Sequence, residues 1–224
     1  MQYFVILGDV VKSRDIPDRA KFQTHFIETM DFVNKRFKDS LVSSLMVNSG
    51  DSFQGIFGSH APLLQICDVL RFSLSAYCTV RLGLGLGEIT TAIDPKSSIL
   101  CDGPAFWNAR EALDSLYDEN YYQTLTAKII FPAKRGDLTQ ELVNQSFLLG
   151  DQLVHGWKKR QLELATFQIL QHGFEKVPQV QLASEMKISP QQMFTMIKAM
   201  GLIAYLDAKS RTQTLLLREI EASQ

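Results

Sequence analysis

Residues 44–57 read SLMVNSGDSFQGIF. Two apolar, strand-like runs flank Ser49, Gly50, Asp51 and Ser52, and Gly with Asp between such runs is β-hairpin chemistry. Strands are predicted over 43–49 and 53–58, so this part of the chain is committed to an antiparallel pair. Asp51 then has two readings. It is a turn residue, or it is a carboxylate carried on a hairpin tip to hold a metal ion.

The segments around the hairpin set the fold class. YFVILG (3–8) reads as a buried strand. Phe22, Phe26, Ile27, Met30, Val33 and Phe37 recur at steps of three and four, which predicts a helix from Asp18 to about Lys38. A second helix starts at Pro62 and runs to about Tyr77. TVRLGLGLGEIT (79–90) alternates as a strand does, and Gly83, Gly85 and Gly87 predict a close backbone approach or a bulge. PAFWNAREALDSLYD predicts a third helix from Pro104, and a strand is expected at about 125–131. The order βαββαβαβ suits an antiparallel-rich α+β sandwich.

From Thr139 the texture turns helical. The expected boundary lies near 136–149, giving domains 1–138 and 139–224. VPQVQLASEMKISPQQMFTMIKAMGL predicts two short helices around a tight turn, with Ser189 as N-cap, Pro190 at the first helical position and Lys187 where Gly is commoner. Such a pair is a helix-turn-helix pattern. IAYLDAKSRTQTLLLREI reads as two strands joined by a polar turn, the wing of a winged helix-turn-helix. The second helix would offer double-stranded DNA Gln191, Gln192, Thr195 and Lys198, and the wing Lys209 and Arg211. A plain protein-contact unit is the competing reading. Residues 151–224 carry nine Lys and Arg against seven Asp and Glu, which decides little.

Composition bounds the rest. Hydrophobic residues at 46% of 224 are enough for a sizeable core, and a net charge of −1 argues against a chain-wide polyanion surface. Cys67, Cys78 and Cys101 are odd in number and scattered, as expected of reduced thiols in a cytoplasmic protein. The N-terminal run reads as a strand and not a signal peptide, and no apolar run is long enough to span a membrane. His25, His60, His155 and His172 do not cluster, so no zinc site or His-based triad is expected.

Two constellations can carry chemistry. Asp9 and Asp51 fall at the ends of neighbouring strands, where a carboxylate pair suits Mg²⁺ or Mn²⁺; the competing reading is a cap and a turn. Lys12, Ser13, Arg14 and Arg19 follow the first strand just before a helix, which suits a polyphosphate, or else form a solvated loop capped by Asp15 and Asp18. Arg81 can pair with a carboxylate at the sheet end, and Glu88 reads as a solvated strand terminus.

Taken together, Asp9 after VILG, Gly50–Asp51 in a hairpin and RLGLGLGE (81–88) resemble the class III nucleotidyl cyclases in order and spacing. The match to the bacterial SatD family is closer, through GDVVKSRDIPDR, GDSFQGIF, RLGLGLGEITT and DGPAFWNAREAL, and it covers most of the chain. The resemblance implies a ferredoxin-like, cyclase-type domain joined to a helix-turn-helix, a homodimer, a nucleotide ligand, and Val10 as a further metal ligand through its carbonyl. The cyclase pattern also has a helical Asn and Arg that stabilise the transferring phosphoryl group. Aligned on Gly103, those positions hold Trp107 and Glu111, with Asn108 and Arg110 one residue away. Asn108 and Arg110 are therefore the candidates, and nucleotide binding without cyclisation is expected. The leading expectation is a cytoplasmic regulatory protein coupling this domain to DNA binding. The alternatives are a metal-dependent nucleotidyl or phosphoryl-transfer enzyme whose tail mediates assembly, and a non-catalytic scaffold.

Overall fold

A computed structural model describes residues 1–118, 121–132 and 137–222. The first half follows the predicted order: β1 (Tyr3–Val10), α1 (Arg19–Arg36), β2 (Leu41–Ser49), β3 (Ser52–Gly58), α2 (Leu63–Leu74), β4 (Val80–Gly87), α3 (Pro104–Asp118) and β5 (Ala127–Ile130). Sheet order is β2-β3-β1-β4-β5, with β1 antiparallel to both β3 and β4, and β5 parallel to β4. β1 sits in the middle and is buried on both faces, which is why YFVIL carries no polar alternation.

The glycines of β4 explain how the sheet is covered. Gly83 and Gly85 lie directly under α3, where an added Cβ would come within 2.2 Å of the Ala109 carbonyl and 2.1 Å of the Ala105 carbonyl. Only a strand face without side chains lets the helix backbone approach so closely. Leu82, Leu84 and Leu86 point to the opposite face and are fully buried. Register places Val5 opposite Gly85, Leu7 opposite Gly83 and Asp9 opposite Arg81, so Asp9 and Arg81 share the α3 face.

Two asparagines close the sheet edges. Asn34 of α1 bonds both the N–H and the C=O of Leu45 in β2 at 2.9 Å. Asn144 does the same for Ile129 in β5, at 2.8 and 3.0 Å. Each satisfies strand groups that would otherwise template another chain.

The second half is helical throughout: α4 (Asp137–His155), α5 (Lys159–His172), α6 (Gln179–Glu185), α7 (Pro190–Met200) and α8 (Leu202–Ala222). The α6–α7 turn keeps its predicted chemistry. Lys187 is left-handed at φ 56, and Ser189 caps α7 by accepting from the Gln192 N–H at 3.2 Å. Residue 136, where the expected boundary begins, lies outside the described residues, and a cut at 138/139 falls in the first turn of α4. Buried residues of both halves form one continuous cluster.

The predicted wing is not there. Residues 202–222 form a single helix, α8, and not two strands. Thr-rich, branched local composition suggests strands, but Leu202, Tyr205, Leu206, Lys209, Gln213, Leu216 and Ile220 are buried at steps of one, three and four, the stripe of a helix packed on α4 and α2. No Gly or Pro interrupts the run. Lys209 is therefore not a DNA-facing residue: it is 1% exposed, with Nζ 3.8 Å from Asp68 and 4.3 Å from the Phe147 ring centre. Arg211 stays on the surface but belongs to no wing, and its Nε donates to Asp207 one turn earlier at 2.7 Å.

Candidate functional site

β1 ends where the chain must turn away from the sheet, and Lys12 makes the turn in the left-handed region at φ 52. For a non-glycine residue this conformation is uncommon and costs about 1 kcal/mol or more. It leads into one 3₁₀ turn, Ser13–Asp15, before Asp18 caps α1 by accepting from the Lys21 N–H at 3.0 Å. The β2–β3 hairpin presents Asp51 beside this turn. Ser13 is buried and donates to Asp51 Oδ2 at 2.7 Å, and the Val10 N–H donates to the Asp51 carbonyl at 2.9 Å. Arg19 does not enter the site. Its guanidinium donates to the Ser13 and Gly50 carbonyls at 2.6 and 2.8 Å, bracing the turn against the hairpin.

Asp9 is already engaged. Arg81, directly opposite in the register, forks onto it with Nε–Oδ1 and Nη2–Oδ2 both at 2.9 Å. Tyr117 of α3 donates its hydroxyl to Oδ2 at 2.6 Å, and the Arg81 guanidinium carbon lies 3.7 Å from the centre of the Tyr117 ring. The hydrogen bond to Asp9, with burial adding to it, pushes the Tyr117 pKa up and keeps the hydroxyl a donor.

These parts enclose a cleft of about 580 Å³ at the end of the sheet. Predicted residues Asp9, Val10, Lys12, Ser13, Arg14, Asp51 and Arg110 all line it. Asn108 does not: its side chain donates to the Leu86 carbonyl at 2.8 Å and holds α3 to β4. Two residues apart on a helix, Asn108 and Arg110 cannot share a face, and only Arg110 points to the cleft. Trp107 and Glu111 are exposed outside it, with the Trp107 indole donating to Asp102 at 2.8 Å. Asp114 and Tyr117 were not among the predicted residues. They follow Arg110 at i+4 and i+7, and that spacing was the available signal.

Electrostatically the cleft is mixed. Asp9, Asp15, Asp51 and Asp114 face Lys12, Arg14, Arg81 and Arg110 around its wall. Among the described residues no group of three or more His, Cys, Asp or Glu is placed to hold a metal. The donor set fits a hard cation through Asp51, whose carboxylate oxygens, among the described residues, accept from the hydroxyls of Ser13 and Ser49, the latter at 3.3 Å. Mg²⁺ commonly uses one or two carboxylates together with substrate phosphates. Asp9 joins that set only in competition with the Arg81 fork.

The α6–α7 pair presents a second polar surface. Gln191, Thr195 and Lys198 are exposed on α7, whereas Gln192 is partly spent in the cap, accepting from the Ser189 N–H at 3.2 Å. Lys158 and Arg160, at the start of α5, line a groove together with Gln191, Gln192 and Thr195. Among the described residues no helix is long and apolar enough to cross a membrane.

Three comparisons bear on identity. The sequence model of the SatD family matches residues 3–216. A search of the curated proteins returned no match. Among solved structures, the chain is similar to a bacterial light-regulated adenylyl cyclase with a TM-score of 0.43 and 11% identity, covering 59% of this chain and 43% of that one, less than half its length.

Proposed function

The chain belongs to the SatD family, and we propose that its cleft binds a nucleoside polyphosphate together with Mg²⁺ or Mn²⁺. What carries the reading is convergence: Lys12 and Arg14 from the turn after β1, and Arg110 from α3, reach one cavity that also holds Asp51. Cations from separate elements, with Asp51 beside them to hold a metal, suit an anion that arrives with its own cation. Lys12 and Arg14 meet phosphate oxygens, Arg110 meets them from the opposite wall, and Asp51 holds the cation. A bound divalent cation neutralises phosphate charge and fixes the orientation of the chain of phosphates. Asp9, Arg81 and Tyr117 form a rigid back wall that positions the turn after β1.

Titration calorimetry tests this directly. Magnesium ATP and magnesium tripolyphosphate are titrated into the wild type, Asp51→Asn, and a Lys12→Ala/Arg110→Ala double variant. Binding by the wild type, a weakened magnesium dependence in Asp51→Asn and a loss of at least tenfold in the double variant are expected. Equal affinities in all three proteins, or no binding by any, removes the proposal.

A second reading concerns the tail. Lys158 and Arg160 flank the exposed face of α7 beside Gln191 and Thr195, which supports duplex DNA as a ligand of the α6–α7 unit, the chain then acting as a regulator that joins the two sites. With no wing, phosphate contacts come from Lys158, Arg160 and Lys198, and weak binding by one copy is expected, with a dissociation constant of roughly 10⁻⁴ to 10⁻⁶ M. Fluorescence anisotropy on labelled duplexes across a salt series checks it, and salt-independent or absent binding leaves the unit as a protein contact.

A further inference from the structure

A second cavity of about 420 Å³ adjoins the cleft, and Lys12, Arg81 and Tyr117 line both. The rest of its lining differs in kind. Val11, Leu116 and Leu125 are apolar, and Thr79, Gln123 and Thr126 are polar without charge. Among the described residues, the charged ones there, Lys12 and Arg81, are the two shared with the cleft. A charged chamber thus opens beside a mostly neutral one, with an aromatic ring in the dividing wall. The wall is preformed: Arg81 stacks on Tyr117 at 3.7 Å and forks onto Asp9, while the Thr126 N–H and hydroxyl are tied to Asp151 at 2.7 and 2.9 Å.

We infer that this second cavity is the nucleoside subsite: the ribose and base of the ligand lie between Leu116, Leu125 and the Tyr117 ring, with Thr79 and Gln123 facing the polar edge of the base. The inference rests on the polyphosphate reading of the cleft and adds the organic half of the ligand. Its physical basis is the usual make-up of such sites, apolar and aromatic walls with a few neutral polar groups that fix orientation. Base stacking on an aromatic face tolerates any base, so selectivity falls to Gln123 and Thr79. Lys12, shared by both chambers, stands where the innermost phosphate meets the ribose.

The two halves of the ligand can be tested apart. Magnesium tripolyphosphate and the magnesium complexes of ATP, GTP, CTP and UTP are titrated into the wild type, Thr79→Trp and Gln123→Ala. Thr79 is exposed, and its carbonyl, which accepts from the Val11 N–H at 2.9 Å, is unaffected by the substitution. At least one nucleotide is expected to bind tenfold or more tightly than tripolyphosphate. Thr79→Trp should remove that advantage and leave tripolyphosphate affinity within twofold. Gln123→Ala should narrow the spread among the four bases, and it serves alone where Thr79→Trp fails to fold by circular dichroism. Nucleotides binding no better than tripolyphosphate overturn the nucleoside subsite and leave the polyphosphate cleft standing. An advantage that survives both substitutions overturns the placement. No binding by tripolyphosphate or any nucleotide overturns the cleft reading and this one with it.

Discussion

The molecule holds two clusters of charge made from the same kinds of side chain, and they end differently. At the sheet end, Asp9, Asp51 and Asp114 share an open cleft with Lys12, Arg14, Arg81 and Arg110. Under α8, Asp68 and Asp151 meet Arg71 and Lys209 in an almost sealed interior, with Asp68 at 0% and Lys209 at 1% exposure and only Arg71 and Asp151 reaching the wall of a small cavity. The sealed cluster is answered almost wholly from within. Arg71 pairs with Asp151 and lies 3.4 Å from Asp68, and the Tyr205 hydroxyl donates to Asp68 at 2.6 Å. Burial works against the Arg71 charge, but Asp151, Tyr205 and Asp68 outweigh it and hold its pKa up. Burial also pulls Lys209 down, opposed by Asp68. In the open cleft, by contrast, Lys12, Arg14 and Arg110 are exposed. Sealed charges fasten the tail to the sheet domain, whereas Lys12, Arg14 and Arg110 stand exposed where a ligand can reach them.

The largest effect should come from breaking the sealed cluster. Asp151→Ala strips the partner from buried Arg71 and the acceptor from the Thr126 N–H. Removing one member of a buried pair costs about 3–5 kcal/mol, and a urea melt should register that loss. A change below about 1 kcal/mol, the scale of surface ion pairs, would place the cluster with ordinary surface charges. In the cleft the expectation reverses. Lys12→Ala or Arg110→Ala should leave stability within about 0.5 kcal/mol, as surface changes do, yet weaken magnesium tripolyphosphate severalfold each by calorimetry.

Alkali should loosen the sealed side before the open one. Burial, helped by Asp68, pushes the Cys67 thiol from 9.0 up to about 12, and burial alone lifts Cys78 from 9.0 to about 11. Both pKa values are raised in the folded chain, so their contribution is complete below pH 9.0 and is lost progressively as pH climbs toward about 11 and about 12. Urea melts between pH 8 and pH 11 should show declining stability, and Cys67→Ala should flatten the decline. An unchanged slope would mean that Cys67 titrates alike folded and unfolded. The smallest effect is expected on the α7 surface, where Lys198→Ala should slightly weaken duplex DNA binding for every sequence and reduce its salt slope by about one unit.

Much of the open region was legible in the sequence because its signals are local. Gly50–Asp51 between apolar runs fixed the hairpin, and the RLGLGLGE alternation announced the close approach of α3. Asp9, Lys12 and Ser13 then had to lie at a strand end. The sealed region was hidden because its partners are far apart along the chain: Asp68 meets Tyr205, 137 residues away, and Arg71 meets Asp151, 80 away. A lysine in a polar run reads as surface, so Lys209 was assigned to a DNA-binding wing. Only its place in the Tyr205–Lys209–Gln213–Leu216 stripe reveals burial. Asn108 lies away from the cleft for a related reason. Its chemistry suits a phosphate, but its direction on α3 is fixed by the Leu86 carbonyl.

Amide shift mapping by heteronuclear NMR, with magnesium tripolyphosphate titrated into the labelled full chain, tests the contrast most directly. Concentration-dependent shifts are expected to gather at Lys12, Ser13, Arg14, Asp51 and Arg110, with Arg71, Asp151 and Lys209 silent. Shifts centred on the α2–α4–α8 cluster or on α7, with the cleft unmoved, would contradict it.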